Sequence, residues 1–564
     1  MQKKLRKKTE GKKKKKKEGI VNIHAYLMER MNMSAIEHTR RDFLKMIGVG
    51  AAAMPIPMRL SVGEATEDKP NIILILTDDQ GWTDTSVQMM ANRPDSKSDF
   101  YQTPNLERMA KEGMVFSNAY SPAPVCTPTR VSIQFGKTPA RLKNTGHYRT
   151  ARSDFDDEFS IPQAIKAVDP SYAAAHFGKW GGQKTLPEQA GYDRSDGNTN
   201  NYHGDWRSLK DKRPVPVDDP KRIFSLTRRA NEFMEEQVEA GRPFYLQVSH
   251  YAVHSQHRAL KETIEKYKKL LPGKKCTSAD YESPPPGVNE WALEYAAMID
   301  NLDTSLGMLL DKIDELGIAD NTYIIFFSDN GGAFRANVPL KEGKGTLWEG
   351  GIRVPMVIRG PAIKPGSYCN VPVIGYDFLP TFVDLAGGRT KMLPKNIDGG
   401  SLQALFENEG KGRVNRPIEG LIFHFPYYNG VPMSAIRLGD YKLLKDCQTG
   451  EIHLYNLADD LGETHDLAAQ MPQKVKQLHR KLMNYLDSID AEKAEDIHLD
   501  RIQQLKGEKQ QLQKQIRELL QSDDTQARDK WAELHLRLSF VKDRIALQEE
   551  RLRRVNELKR EKTQ

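Results

Sequence analysis

The chain has 564 residues, of which 38% are hydrophobic and 28% charged, so it can bury a sizeable core under a heavily charged surface. Its formal net charge is +8, yet residues 1–19 alone hold ten Lys, one Arg and two Glu, a net of +9, which leaves the rest of the chain at −1. The basicity is therefore a solvated tail and not a folded basic patch, which argues against nucleic acid as a partner. The four cysteines, Cys126, Cys276, Cys369 and Cys447, form no CxxC pair, which argues against a zinc site and a disulfide scaffold.

In chain order, residues 1–38 read as a basic, disordered extension. Thr39-Arg40-Arg41-Asp42-Phe43-Leu44-Lys45 then precedes a weakly apolar run from Met46 to Met58. A twin Arg ahead of a short apolar stretch resembles a twin-arginine export signal, here residues 39–66, and predicts a periplasmic or secreted protein. The run contains Pro55 and Pro57 and is too short to span a bilayer, so no stable membrane insertion is expected.

Residues 67–400 alternate strand and helix patterns. Asn71 to Leu76 is a continuous apolar run, as in strands buried on both faces of a parallel sheet, and it stops at Thr77-Asp78-Asp79. Tyr323 to Phe327 is a second, stopping at Ser328-Asp329-Asn330-Gly331-Gly332, and Phe244–Val248 and Pro355–Ile358 are further strand candidates. Trp291 to Leu316 has helical spacing at Leu302, Leu306, Leu309, Leu310 and Ile313. This alternation predicts an α/β domain. In open α/β sheets ligands sit beyond the carboxyl ends of strands, where both acidic clusters fall. Three carboxylates there repel one another unless a cation neutralises them. Asp78, Asp79, Asp329 and Asn330 are hard oxygen donors suited to calcium or magnesium.

Residues 401–490 predict a small α+β subdomain, with short strands at Leu421–Phe425, Ser434–Leu438, Lys442–Lys445 and Ile452–Tyr455 and a helix over Met471–Ile489. Residues 491–564 predict a helical hairpin with a coiled-coil seam, a route to homo-oligomers. Its apolar positions are Ile502, Leu505, Leu512, Ile516 and Leu519, then Trp531, Leu534, Leu538, Val541, Ile545, Leu552 and Val555. Lys509 and Gln548 interrupt the seam, and Ser522-Asp523-Asp524 breaks the helix.

The most specific feature is Cys126-Thr127-Pro128-Thr129-Arg130, which resembles the signature of the formylglycine-dependent sulfatase family. The resemblance continues through Pro70–Ile73 with Asp78–Gly81, Thr103-Pro104-Asn105-Leu106, Phe116–Tyr120, Ser328–Gly332, Gly343–Arg353 and Leu454–Leu457 with Gly462-Glu463-Thr464. It implies an alkaline-phosphatase-like core, with a large mixed, mostly parallel sheet between helices. It also implies a sulfatase acting on sulfated carbohydrate or aryl sulfate. Cys126 is expected to become formylglycine through a formylglycine-generating or anaerobic sulfatase-maturing enzyme. One Ca2+ is expected on Asp78, Asp79, Cys126, Asp329 and Asn330. Cys126, Arg130, Lys179, His254 and Lys344 are the implied catalytic set: a hydroxyl of the hydrated aldehyde attacks sulfur, Lys179 and Lys344 clamp sulfate oxygens, and His254 or Lys344 protonates the leaving alcohol.

Two departures stand out. Gly178-Lys179-Trp180-Gly181 replaces the family's Gly-Lys-Trp-His, which removes the His credited with expelling sulfate and leaves His176, His203 or water as substitutes. Ile133-Gln134-Phe135-Gly136 replaces the commoner Leu-Thr-Gly. His424-Phe425-Pro426-Tyr427-Tyr428 suits a sugar site or core packing equally. Rival readings are a phosphomonoester or phosphonate hydrolase of the same fold, and a catalytically weak binder of sulfated glycans.

Overall fold

The run after Pro70 forms β1 (Asn71–Thr77), every residue of it buried. The other strands are β2 (Met114–Phe116), β3 (Ala119–Tyr120), β4 (Ala173–Gly178), β5 (Arg194–Ser195), β6 (Phe244–Ser249), β7 (Thr322–Ser328), β8 (Met356–Arg359), β9 (Ser367–Cys369), β10 (Val373–Ile374), β11 (Leu421–Phe425), β12 (Met433–Leu438), β13 (Tyr441–Asp446) and β14 (Ile452–Asn456). This computed structural model describes residues 69–146, 152–181, 183–204, 216–270, 290–333, 337–426, 432–520 and 527–563. The basic extension, the export-like segment, Cys276, Tyr427, Tyr428 and the Ser522–Asp524 break lie outside them.

Eight strands form one sheet in the order β5-β4-β6-β1-β7-β8-β2-β9, with β3 and β10 in a separate pair. Pairing is parallel from β5 through β7 and between β2 and β9, and antiparallel on either side of β8. Side chains of β1 alternate between two cores, as a pleated strand dictates. Ile72, Leu74 and Leu76 meet helices Ile161–Val168 and Phe378–Leu385. Ile73 and Ile75 meet helices Ile223–Glu239 and Glu290–Glu315. The mixed, mostly parallel sheet between helices is the fold expected from sequence, with the long helix one residue earlier at each end than its apolar pattern suggested.

One central strand went unforeseen. Ala173-Ala174-Ala175 opens β4, although alanine is the best helix former. Packing between β5 and β6 overrides that preference and delivers Lys179 to the sheet's carboxyl edge.

Strands β11 to β14 form an antiparallel sheet backed by helix Pro472–Ser488 through Leu478, Leu482, Tyr485 and Leu486. A sealed ion cluster links this sheet to the main domain: Lys442 Nζ lies 2.9 Å from Glu349 Oε1 and 2.8 Å from Glu463 Oε1. Beyond it, helices Ala494–Leu520 and Ala527–Thr563 pack on each other through Leu505, Leu512, Ile516, Leu538, Val541 and Ile545. The interruption at Gln548 is satisfied inside the seam by His498, whose Nδ1 lies 2.7 Å from Gln548 Oε1. Trp531 is a correction: it is 42% exposed and lies outside the seam, because its ring packs instead against the imidazole one turn on, His535, tilted by 37° with centroids 4.0 Å apart.

Among the described cysteines, Cys126, Cys369 and Cys447 are free thiols. No described helix is long and apolar enough to cross a membrane.

Candidate active site

The register of β1 with β7 pairs Thr77 with Ser328, so Asp78-Asp79 and Asp329-Asn330 leave the sheet side by side. Cross-links hold the two strand ends together: Asp329 N–H donates to Thr77 O at 3.1 Å, and Asp79 N–H donates to Asp329 Oδ1 at 3.1 Å. The Asp78 backbone also exchanges hydrogen bonds with Ala252 O (2.9 Å) and Val253 N–H (2.6 Å), which fixes the loop carrying His254.

Cys126 is the first residue of helix Cys126–Phe135. Thr129 Oγ1 bonds both the N–H and the carbonyl of Ala123, bracing the Pro-rich entry to that helix. Arg130 stands one turn further on, on the same helical face. The ligand atoms of Asp78, Cys126 and Asp329 lie within 4.8 Å of one another, all three residues buried.

Each carboxylate has a cationic partner. Lys179 Nζ lies 2.5 Å from Asp78 Oδ2, Lys344 Nζ donates to Asp79 Oδ2 at 2.6 Å, and Arg130 Nε donates to Asp329 Oδ2 at 2.8 Å. Arg130 Nη1 also donates to Lys179 O at 2.8 Å, joining two of these pairs. The Lys344 loop is stitched to its surroundings by Lys344 N–H to Gly332 O and Gly345 N–H to Pro124 O, each 2.9 Å. Its close approach depends on glycine: a Cβ on Gly331 would fall 1.9 Å from Gly350 O.

Burial would raise the Asp78 carboxyl, but Lys179, His254, Arg130 and Lys344 hold it well below the usual range. Burial and neighbouring Asp78 push Asp329 up to about 7, against the pull of Arg130. Burial lowers His254 below an ordinary imidazole, so the ring is neutral near pH 7. Its Nδ1 donates to Ser255 O at 2.6 Å, which leaves Nε2 facing Asn201 Nδ2 at 3.1 Å and Asp79 Oδ2 at 3.8 Å.

The donor set fits a hard cation. Asp78 Oδ1 and Asn330 Oδ1 are buried oxygens with no hydrogen-bond partner among the described residues. Three carboxylates and one amide, with an unsatisfied buried oxygen on Asp78 and another on Asn330, suit an oxygen-ligated ion such as calcium.

All nine residues singled out in the sequence converge here: Asp78, Asp79, Cys126, Arg130, Lys179, His254, Asp329, Asn330 and Lys344. Sequence reasoning missed Asn201, which sits in a short helical turn, Asn201–Gly204, with no motif to mark it. The substitutes considered for the missing His fall elsewhere. His176 packs between Trp180 and Tyr192 with Nε2 on Ser249 Oγ at 3.1 Å, and burial lowers it to about 3. His203 is exposed, with Nδ1 on Asn200. Gly181 has φ +118, its carbonyl accepts from Thr127 Oγ1 at 3.2 Å, and Gln183 fills the space a Cβ would enter. His424 and Phe425 are core residues: His424 bonds Ser434 Oγ and Glu492 O, both at 2.7 Å, and Phe425 packs with Tyr120 and Val125.

The sulfatase family model matches residues 70–388, more than half the chain, and the model described as N-sulphoglucosamine sulphohydrolase, C-terminal, matches residues 343–492. A sulfatase of Formosa agariphila is 27% identical, covering 79% of this chain and 93% of the relative. The N-acetylgalactosamine-6-sulfatase of Canis lupus familiaris is 28% identical, covering 71% of this chain and 74% of the relative. The crystal structure of Ps i-CgsB in complex with k-i-k-neocarrahexaose superposes with a TM-score of 0.60 at 25% identity, covering 74% of this chain and 93% of that one. Fold, motifs and relatives together define a hydrolase of sulfuric esters. The chain belongs to the sulfatase family.

Proposed function

We propose that this enzyme removes sulfate from sulfated carbohydrates, using a formylglycine made from Cys126 and one Ca2+ held by Asp78, Asp79, Asp329 and Asn330. The observation that carries the reading is the ring of three carboxylates and three cations around Cys126. A relative that is an N-acetylgalactosamine-6-sulfatase and a structural neighbour solved with a carrahexaose support a sugar substrate.

The chain's own groups divide the work. Arg130 and Lys179 orient the matured residue 126 and draw charge from the sulfate oxygens. Lys344 binds a further sulfate oxygen. Lys344, or His254 after its Nε2 has taken up a proton, delivers the proton to the departing sugar oxygen. Calcium, when bound, neutralises the carboxylates and polarises the sulfate. Maturation requires a formylglycine-generating or anaerobic sulfatase-maturing enzyme, and the twin-arginine-like segment directs export to the periplasm or beyond.

Mass spectrometry of the tryptic peptide containing Cys126, from the native host, tests this with turnover on sulfated galactosamine and galactose oligosaccharides. The aldehyde together with sulfate release supports it. An unmodified thiol on a protein that binds these sugars without turnover favours the glycan-binding reading instead, and preference for phosphate or phosphonate esters overturns the substrate class.

A further inference from the structure

The stretch that carries Gly181 is tied to the start of the Cys126 helix. Lys179 O accepts from Arg130 Nη1 at 2.8 Å, and Gly181 O accepts from Thr127 Oγ1 at 3.2 Å. Trp180 Nε1 donates to Thr185 O at 2.8 Å, which draws the chain back against Trp180. Between these anchors Gln183 is only 3% exposed, and its Oε1 is buried with no hydrogen-bond partner. Its carboxamide stands where a side chain at 181 would begin: a Cβ on Gly181 would fall 3.2 Å from Gln183 Oε1 and 3.4 Å from Nε2. The glycine, at φ +118, is what admits the amide so closely. Packing does not account for this choice of side chain. Burying an unpartnered carboxamide destabilises a fold, and a leucine of similar volume would fill the same space without that cost. A buried acceptor kept without a protein partner calls for a group that the folded chain alone does not supply.

We infer that Gln183 is a further residue of the active site, whose Oε1 accepts a hydrogen bond from a hydroxyl of the matured, hydrated residue 126. The inference rests on the formylglycine reading. Residue 126 is the neighbour of Thr127, which the Gln183 turn already meets through Gly181 O. Maturation replaces its thiol, a weak donor, with hydroxyl groups that donate strongly, so the acceptor gains its partner only in the mature enzyme. An amide oxygen accepts a hydrogen bond but takes up no proton near neutral pH. Gln183 therefore holds the hydroxyl that a base at this place would deprotonate, and leaves its proton where it is. Orientation is retained and general-base catalysis is not, which agrees with an enzyme that forms its covalent intermediate readily and releases sulfate slowly.

The test is oxime formation at residue 126 in the full-length, matured protein, using a small aminooxy probe and mass spectrometry of the tryptic peptide. A hydroxyl held by Gln183 favours the hydrate, which does not react, over the free aldehyde, which does. Gln183→Leu should therefore label about 3–10-fold faster than the parent, the scale of one lost hydrogen bond. It should also melt no lower than the parent, because the side chain it removes has an acceptor without a partner. Gln183→Glu keeps an acceptor oxygen and should label at the parent rate. If Gln183→Leu labels no faster, or melts lower as a purely structural amide would require, the inference is overturned and the formylglycine reading stands. The same follows if Gln183→Glu labels as fast as Gln183→Leu. A parent that takes no label, with an intact thiol at residue 126, removes the formylglycine reading and the inference with it.

Discussion

Lys179 Nζ lies 2.5 Å from Asp78 Oδ2, and both side chains are sealed from solvent. The same one-to-one pairing joins Lys344 to Asp79 and Arg130 to Asp329. Breaking a buried ion pair by removing one partner typically costs about 3–5 kcal/mol, because the other charge is stranded. Substitutions in this ring therefore lower stability and activity together and separate the two poorly. Cys126 makes the cleaner probe, since it carries no partner charge of this kind.

Cys126→Ala should reduce turnover of an aryl sulfate by about 10⁴-fold or more, the scale seen when a nucleophile is deleted. The fold should survive, because the lost sulfur leaves only a small void. Thermal unfolding and steady-state kinetics on the same preparation check both halves. Wild-type turnover in the Ala variant would refute a nucleophilic role for residue 126.

One calcium per chain should be found in protein from the native host. Its removal by chelation should lower the unfolding temperature and abolish activity, and calcium should restore both better than magnesium, because ligands from four residues suit the larger, more flexible shell. Elemental analysis and melting curves decide it. Stoichiometric zinc, or full activity without metal, counts against it.

Gly181 should make sulfate release slow. His176 is held on Ser249 and His203 on Asn200, and a missing general base typically costs about 10²–10⁴-fold. Rapid-quench kinetics on a good leaving group should show a stoichiometric burst of alcohol ahead of slow turnover. Gly181→His should not repair the defect, because φ +118 is a conformation L side chains rarely adopt. Steady turnover above about 10 s⁻¹, the median for enzymes, without a burst would show that another base has taken over.

The hairpin should be dispensable for chemistry, but the cut must spare its root. Glu492 O accepts from His424 at 2.7 Å, and Glu492 Oε2 accepts from Thr145 Oγ1 at 2.7 Å, in the loop that follows the Cys126 helix. A chain ending after Lys493 should keep small-substrate turnover. One ending before Ile489 should lose stability. Equal loss of turnover in both would show that the hairpin reaches the active site.

The ion cluster at Lys442 should give stability a pH slope. Burial, with Glu349 beside it, lifts Glu463 from an ordinary 4.5 to about 7, while Lys442 and Arg353 outweigh burial and lower Glu349 to about 2. A raised folded pKa means that the fold holds the proton more tightly than the unfolded chain. The Glu463 contribution is thus fully present below about 4.5 and is lost as pH rises through about 7. The Glu349 contribution runs the other way and is lost only as pH falls from 4.5 toward 2. Glu463→Gln should flatten the fall in unfolding temperature between pH 5 and 8. An unchanged slope would place its origin elsewhere.

How legible the site was depends on how each residue reached it. Asp78 and Asp329 were readable because an apolar strand that stops at an acid marks a sheet's carboxyl edge. Lys179 was not readable that way: Ala173-Ala174-Ala175 has a helix former's composition, and only the Gly-Lys-Trp motif pointed to it. Asn201 had no signal, since its place beside His254 depends on two loops meeting. Trp531 was assigned to the seam by spacing alone, which cannot tell a buried position from a surface ring contact at a helix end.

The central strand also sets an order of events in time. β1 leaves the ribosome first, but its partner β7 follows only after about 250 residues, with β6 in between. At about 5–20 residues per second that wait is roughly 10–50 s. Until β6 emerges this apolar strand has no partner, its other edge stays open until β7 arrives, and pairings this distant in sequence are slow to form. Such a chain should need holding factors during synthesis and should refold poorly from denaturant at high concentration. The same interval is when Cys126, 2% exposed once folded, is open to a modifying enzyme.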